Sequence, residues 1–241
     1  HPGTGMFNNA GTLKLTGKID FDLLERCILA FVRQNQSVRI RIGEDGEGPY
    51  QYVAPYEPFA IQRLDFSGRG DQALFEWDDI QNAAPMSMTG GPLYFFALIR
   101  MAEDRGCIYA KFHHIISDAV SMVSFAGEVL DSYDRLLKGE RPPERQYRCY
   151  LDYAAAERDY LASRRFAYDQ KYWLSRFAHV EGPTHIKDPA QGYSGTRARR
   201  KARPLSARLS ARMREFCRKR EYSVFSLFLT ALCVYLYRVT G

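Results

Sequence analysis

Phe112-His113-His114-Ile115-Ile116-Ser117-Asp118-Ala119 is the stretch on which the reading of this chain turns. The run before it, Cys107-Ile108-Tyr109-Ala110-Lys111-Phe112, is rich in β-branched and aromatic residues and follows the turn signal Asp104-Arg105-Gly106, so it reads as a strand. After the histidines the period changes. Val120, Val123, Gly127, Leu130 and Leu137 recur at helical spacing from Asp118 onward. Asp118 stands where an N-cap or first-turn acid meets unpaired N–H groups and the positive end of a helix dipole. The octapeptide is therefore a strand end and turn that feeds a helix N-terminus.

That geometry limits the chemistry. Side chains on a strand alternate faces, so His113 and His114 cannot both look into one cleft. One of them can work, and the other packs or braces. The same alternation speaks against a metal, since adjacent histidines point apart and no Cys or further His lies at ligand spacing. The helix that opens at Ala119 would bring oriented backbone donors to the place, which suits an anionic intermediate.

Working outward, a strand is expected at Thr12–Thr16, a helix at Phe21–Gln34 and strands near Val38–Ile42, Tyr50–Ala54 and Phe59–Leu64. A helix near Gln72–Asn82 precedes strands Leu93–Met101 and Cys107–Phe112, and a long helix Ala119–Lys138 follows. Two helices come next, near Leu151–Ser163 and Ala167–Phe177. Leu24, Cys27, Ile28 and Phe31 give the first helix one apolar face. Glu181 to Pro204 is linker-like, with Gly182-Pro183, Asp188-Pro189, Gly192 and Gly195. Helices are expected again at Ser206–Glu221 and Val224–Val239, the latter capped by Ser223 and apolar on nearly every face. The sum is an α/β chain with a mixed sheet covered by helices.

Composition bounds the class. At 241 residues and 46% hydrophobic content the chain can bury a sizeable core and is not disordered. Its five cysteines, Cys27, Cys107, Cys149, Cys217 and Cys233, are scattered without a CxxC, and read as reduced packing residues of a cytoplasmic protein. The apolar run Val224 to Tyr237 is shorter than the ~20 residues that span a bilayer, so no membrane partner is expected. From Ser194 to Gly241 there are 12 Lys/Arg against 2 Asp/Glu, so the net charge of +6 resides there. Arg197, Arg199, Arg200, Lys201 and Arg203 form the densest group. No aromatic residue interleaves them, so a solvated surface is preferred to nucleic-acid binding.

The octapeptide resembles the HHxxxDG core motif of the condensation domains of nonribosomal peptide synthetases, within the chloramphenicol acetyltransferase-like acyltransferases. The resemblance runs in order along nearly the whole chain. Leu13-Lys14-Leu15-Thr16-Gly17-Lys18-Ile19-Asp20 is similar to the family's first strand and helix start, Ser37-Val38-Arg39 to its "LR", and Gln51-Tyr52-Val53 to its "Q.v" strand. Gly91-Pro92-Leu93-Tyr94 resembles the "GPL" strand, Tyr150-Leu151-Asp152-Tyr153 the "Y.dya" helix, and Tyr172-Trp173 the "yW" landmark. Ala119 departs from the pattern, standing where the family has glycine. Pro2-Gly3-Thr4 differs from the commonest opening of the family.

The resemblance implies a chloramphenicol acetyltransferase-like two-layer sandwich. It implies a first lobe at 1–180, a linker at 181–204, and the opening helices of a second lobe at 205–241, with most of that lobe outside this sequence and this chain alone inactive. The implied reaction is amide formation between a carrier-bound acyl or peptidyl thioester and a carrier-bound aminoacyl acceptor. His114 is the implied catalytic residue, as general base or as the group that holds the amine. His113, Asp118 and Arg39 support the site, Asp118 as the ion-pair partner of Arg39, and Ala119 marks the helix N-terminus. No metal and no directly bound cofactor is implied, because phosphopantetheine arms arrive on the carriers. The implied partners are an upstream donor carrier, a downstream acceptor carrier and adjoining synthetase domains, with a dimer of this chain possible through Val224–Val239.

Two other readings stay open. A related HHxxxD acyltransferase could make an ester or use acyl-CoA. A carrier-docking module could have lost activity, and Ala119 with the basic C-terminal region are its support. An epimerisation domain would carry a Trp shortly after the aspartate, where Ser121-Met122 stand.

Overall fold

The computed structural model describes residues 3–142, 145, 149–180, 186 and 201–240. The chain divides between Ala162 and Ser163 into two compact units.

The first unit is built on a four-stranded sheet in the order β1-β6-β5-β4. β1 (Asn8–Thr16) and β5 (Tyr94–Ala102) lie antiparallel on either side of β6 (Arg105–His113), and β4 (Gln62–Asp65) adds in parallel to β5. The sheet is therefore mixed, as expected. β2 (Ile40–Asp45) and β3 (Gly48–Val53) pair separately as a hairpin. The expected strand at Val38 begins two residues later, because the Arg39 amide donates to the Gln36 carbonyl and winds Ser37–Arg39 into a 3-10 turn.

Alternation along β6 divides the core. Ile108, Ala110 and Phe112 face α1 (Phe21–Gln34) and α3 (Ala119–Leu137), while Cys107 and Tyr109 face α2 (Gly70–Ala83). α1 begins at Asp20, whose carboxylate accepts the Leu23 amide at 2.9 Å, and stops at Asn35, whose amide and side chain both donate to the Phe31 carbonyl. Between these ends Leu24, Cys27, Ile28, Phe31 and Val32 are buried, each such side chain contributing about 1.5–3 kcal/mol.

α3 carries apolar residues on two faces, and the face that enters the core is not the one the sequence spacing stressed. Phe125 and Val129 are buried, with Met122, Tyr133 and Leu136 packed beside them. Val120 and Val123 are 70% and 74% exposed. Phe125 decides the orientation. Its ring lies 5.1 Å from Phe31, 5.2 Å from Phe96 and 5.6 Å from Phe112.

On the other face Lys111 is buried and reaches the end of α2, donating to the carbonyls of Gln81 at 2.9 Å and Ala84 at 3.2 Å. Burial holds its pKa below the usual lysine value. Asn8 joins it there, its side chain donating to the Asn82 and Ala84 carbonyls. β1 and β6 thus cap α2 from the strand ends that carry the histidine motif.

The first unit closes with α4 (Tyr150–Leu161). The second contains α5 (Arg164–Arg176), α6 (Ala207–Lys219) and α7 (Val224–Thr240). Ser163, Ser206 and Ser223 cap these helices through their hydroxyls. No residue of α7 is buried. No single helix is long and apolar enough to cross a membrane. Arg197, Arg199, Arg200 and most of the linker-like segment lie outside the described residues. Lys201 and Arg203 are described and exposed.

Candidate functional site

The histidine turn is fixed by its backbone. β6 ends at His113, opposite Asn8 of β1, and the His113 amide donates to the Leu93 carbonyl at 2.9 Å. The His114 amide donates to the Phe7 carbonyl at 2.8 Å. The chain then folds back, with the Ile116 amide and the Ser117 hydroxyl both donating to the His113 carbonyl. The Asn9 side chain donates to the Asp118 carbonyl at 2.8 Å and to the Ser117 hydroxyl at 3.4 Å. One residue of β1 therefore ties down the exit of the turn.

The two imidazoles have different surroundings. His113 is half-buried, continues the α2-facing row of β6, and lies 6.1 Å from the Phe7 ring. Its Nδ1 accepts the Ile115 amide at 3.1 Å, so the neutral ring carries its proton on Nε2. Burial, and secondarily the neighbouring His114, hold its pKa below the usual histidine value. His114 is exposed, and its ring makes no hydrogen bond among the described residues. β6 ends at His113, so His114 already lies in the turn, and the two rings differ in burial and in hydrogen bonding.

Asp118 caps α3. Its Oδ1 accepts the Ser121 amide and the Ser121 hydroxyl, both at 2.8 Å, and the Ser121 hydroxyl accepts the Asp118 amide at 3.2 Å. This is a reciprocal capping box. The Ser121 amide first, then its hydroxyl, holds the Asp118 carboxyl below the usual aspartate range. Two expectations are corrected by it. The expected Arg39–Asp118 ion pair is not made, because the carboxylate is committed to Ser121 and the guanidinium lies elsewhere. The helix end at Ala119 is also not an open anion site, because the carboxylate of its own cap occupies it. Ala119 itself fits without strain. Glu221 is the only described non-glycine residue with positive φ, so the first turn of α3 asks nothing of Ala119 that a Cβ prevents.

Arg39 donates from Nη1 to the Ala54 carbonyl at 2.8 Å, across the mouth of the β2–β3 hairpin. It lines a cavity of about 460 Å³ with Arg41, Tyr56, Phe59 and Tyr94. A smaller cavity of about 250 Å³ lies directly behind the motif, lined by Phe31, Val38, Phe112, Ile116, Ser117 and Ser121 among others. Val38 lines the smaller cavity and Arg39 the larger, so consecutive residues of the 3-10 turn contribute to both.

Sequence reasoning gave no site role to Phe7, Asn9, Leu93 or Ser121. Ser121 was legible as the third residue after an N-cap aspartate, a capping-box spacing. Nothing local marks Asn9, which is 109 positions from the Asp118 carbonyl it binds.

The family model for the condensation domain matches residues 1–241. The chain is 30% identical over 246 residues to surfactin synthase subunit 1 of Bacillus subtilis (strain 168), and 25% identical over 242 residues to the dimodular nonribosomal peptide synthase of the same organism. Each match covers 100% of this chain, which spans 7% and 10% of the length of those two synthases. Among solved structures, the first condensation domain of the CDA synthetase is similar at a TM-score of 0.79 and 21% identity, over 100% of this chain and 58% of that one. The starter condensation domain of rhizomide synthetase RzmA is similar at a TM-score of 0.72 and 23% identity, over 77% of this chain and 46% of that one.

Proposed function

This chain belongs to the condensation domain family, and from that premise we propose that it supplies the histidine-bearing half of an amide-forming site in nonribosomal peptide synthesis. An amine carried as an aminoacyl thioester on one carrier protein attacks the thioester carbonyl of an acyl or peptidyl group on another. The C–N bond forms, the C–S bond breaks, the thiol of the donor arm leaves, and one proton passes from the amine to that thiolate. Both arms are phosphopantetheine groups of the carriers, so the chain needs no resident cofactor for this step.

The observation that carries the reading is the contrast between the two histidines. His114 is exposed with no hydrogen-bond partner for its ring among the described residues, while His113 is half-buried with Nδ1 engaged. A neutral imidazole accepts a proton from the attacking amine as its nitrogen becomes cationic, or holds the amine by accepting one of its N–H groups. His113, Asp118 and Ser121 position it: they fix the turn from which His114 projects. Arg39 braces the open end of the β2–β3 hairpin through Ala54 and makes no pair with Asp118. The division into a first lobe at 1–180, a linker at 181–204 and the start of a second lobe at 205–241 belongs to this proposal, as do the adjoining synthetase domains and a cytoplasmic location.

The test is a synthetase containing this domain, with donor and acceptor carriers loaded and loading verified by intact-protein mass spectrometry. Appearance of the amide on the acceptor carrier, lost in His114→Ala, supports the proposal. Wild-type protein that forms an ester, or that accepts acyl-CoA and ignores loaded carriers, favours a different acyltransferase. No transfer with any of these donors favours a docking role.

A further inference from the structure

We propose that the cavity lined by Arg39 and Arg41 is a binding site for an organic oxyanion, a carboxylate or a phosphate ester carried on an apolar body. The cavity measures about 460 Å³, far more than one water needs, and lies at the strand end that carries the histidine turn: Tyr94 in its wall pairs with Phe112 across β5 and β6.

Its chemistry is one-sided. Two guanidinium groups line it, and neither forms an ion pair among the described residues. Arg39 uses Nη1 on the Ala54 carbonyl, and its Nε is buried with no hydrogen-bond partner. That atom is out of reach of solvent, so an anion in the cavity meets the outer N–H groups of the guanidinium instead. Arg41 uses Nη1 on the carbonyls of Val38 and Ile40, which anchors the side chain, and its guanidinium lies 5.4 Å from the centre of the Tyr94 ring. The remaining N–H groups of both residues are donors, since arginine has five and accepts none. The single acid in the lining, Glu57, is exposed and pairs with neither arginine, so the cavity stays net positive.

The rest of the wall says what the anion is attached to. Phe59, Pro58, Pro92 and Tyr94 give it an apolar, largely aromatic surface. Phe59 and Tyr94 are already in ring contact at 5.3 Å. A bare inorganic ion would leave that surface wet. An oxyanion with a flat or aliphatic body covers it while its oxygens meet the arginines. Anion binding here is independent of the chemistry of His114.

Three small probes test it, by titration of the protein with isotopic labelling of the arginine side chains. Benzoate is the carboxylate, phenyl phosphate is the phosphate ester, and benzamide is the neutral isostere. At least one anion should bind about tenfold or more tighter than benzamide, a difference of the size that one charge-assisted contact provides. The side-chain N–H resonances of Arg39 and Arg41 should move on binding. Arg41→Gln should lose the affinity, and Glu57→Gln, at the rim, should raise it. Preference for phenyl phosphate points to a phosphorylated carrier arm as the natural source, and preference for benzoate to a substrate carboxylate. Equal binding of benzamide, no binding of either anion, or unchanged affinity in Arg41→Gln overturns the site.

Discussion

The Nδ1 atom of His113 accepts the backbone amide of Ile115 at 3.1 Å, and this bond ties the ring into its own turn. It fixes the tautomer of the His113 ring, while the neighbouring His114 ring is exposed. If His114 is the general base, His114→Ala lowers amide formation by about 10²–10⁴-fold. Its unfolding midpoint stays where it was, because the exposed ring makes no hydrogen bond among the described residues. His113→Ala shows the opposite balance, a lower midpoint with activity falling only as the turn loosens. Product formation measured by mass spectrometry beside thermal unfolding checks both. Near-normal turnover in His114→Ala removes that residue from the chemistry.

The partial burial of His113 also sets a pH dependence. Its folded pKa lies below the ordinary value of 6.5, with burial the first cause and His114 the second. The unfolded chain therefore binds more protons in this window, and stability falls as pH drops below the ordinary value toward the folded one. Denaturant midpoints measured from neutral pH downward should decline through this range. His113→Gln should flatten the decline. An unchanged slope in that variant would assign the acid sensitivity to other groups.

The Asp118 carboxylate is committed to Ser121 and the Arg39 guanidinium to Ala54, so substitutions at 118 and 39 should be additive. Asp118→Ala lowers stability by removing the α3 cap, and Asp118→Asn lowers it less because an amide oxygen still accepts the Ser121 amide. The depressed Asp118 carboxyl contributes stability above its ordinary pKa, and this is lost as pH falls through the lower folded value. A double-mutant cycle of Arg39→Ala with Asp118→Ala is the measurement. Strong coupling would restore the direct ion pair that this geometry lacks.

Most of the elements were legible because each carries a local signal. Asp20 and Asn35 bracket α1 at the residues where its apolar period starts and stops. The change of period at Asp118 marks α3 for the same reason. What was not legible is non-local. The face of α3 that enters the core depends on where Phe31, Phe96 and Phe112 place their rings, and those residues come from three other elements. The fate of Arg39 depends on the hairpin carbonyl of Ala54, and the anchoring of the turn on Asn9 of the neighbouring strand β1. Spacing along the chain records none of these meetings. The different surroundings of the two histidines follow from where β6 ends, at His113, with His114 already in the turn.

The orientation of α3 gives a direct comparison of two neighbouring residues. Phe125 is buried among three rings, and its loss opens a cavity in the α1–α3 core, so Phe125→Ala should cost about 3–5 kcal/mol. Val123, two positions earlier, is 74% exposed. Val123→Ala should stay within about 0.5 kcal/mol of wild type. Equilibrium urea unfolding reads both. A costly Val123 substitution beside a mild Phe125 one would mean that the opposite face of α3 is the packed one.

The last expectation concerns α7. Its sequence is Val-Phe-Ser-Leu-Phe-Leu-Thr-Ala-Leu-Cys-Val-Tyr-Leu-Tyr-Arg-Val-Thr, with one charged residue, Arg238. None of these residues is buried, and Phe225 and Tyr237 are each 74% exposed. Monomers seldom leave a contiguous apolar patch larger than a few hundred Å² in water. Seventeen residues that are apolar on nearly every face exceed that, and too little charge is present to keep copies apart. This chain on its own should therefore self-associate through α7 at micromolar concentration. Light scattering should give a mass above that of the monomer, and Phe225→Glu with Leu229→Glu should return it to one chain, because a buried carboxylate without a partner is expensive at such a contact. Hydrogen exchange separates the remaining alternatives. Slow exchange across 224–240 that becomes fast in the double variant supports association through this helix. A clean monomer in which the same amides are protected would show that the chain covers the helix itself, and would rule the self-association out.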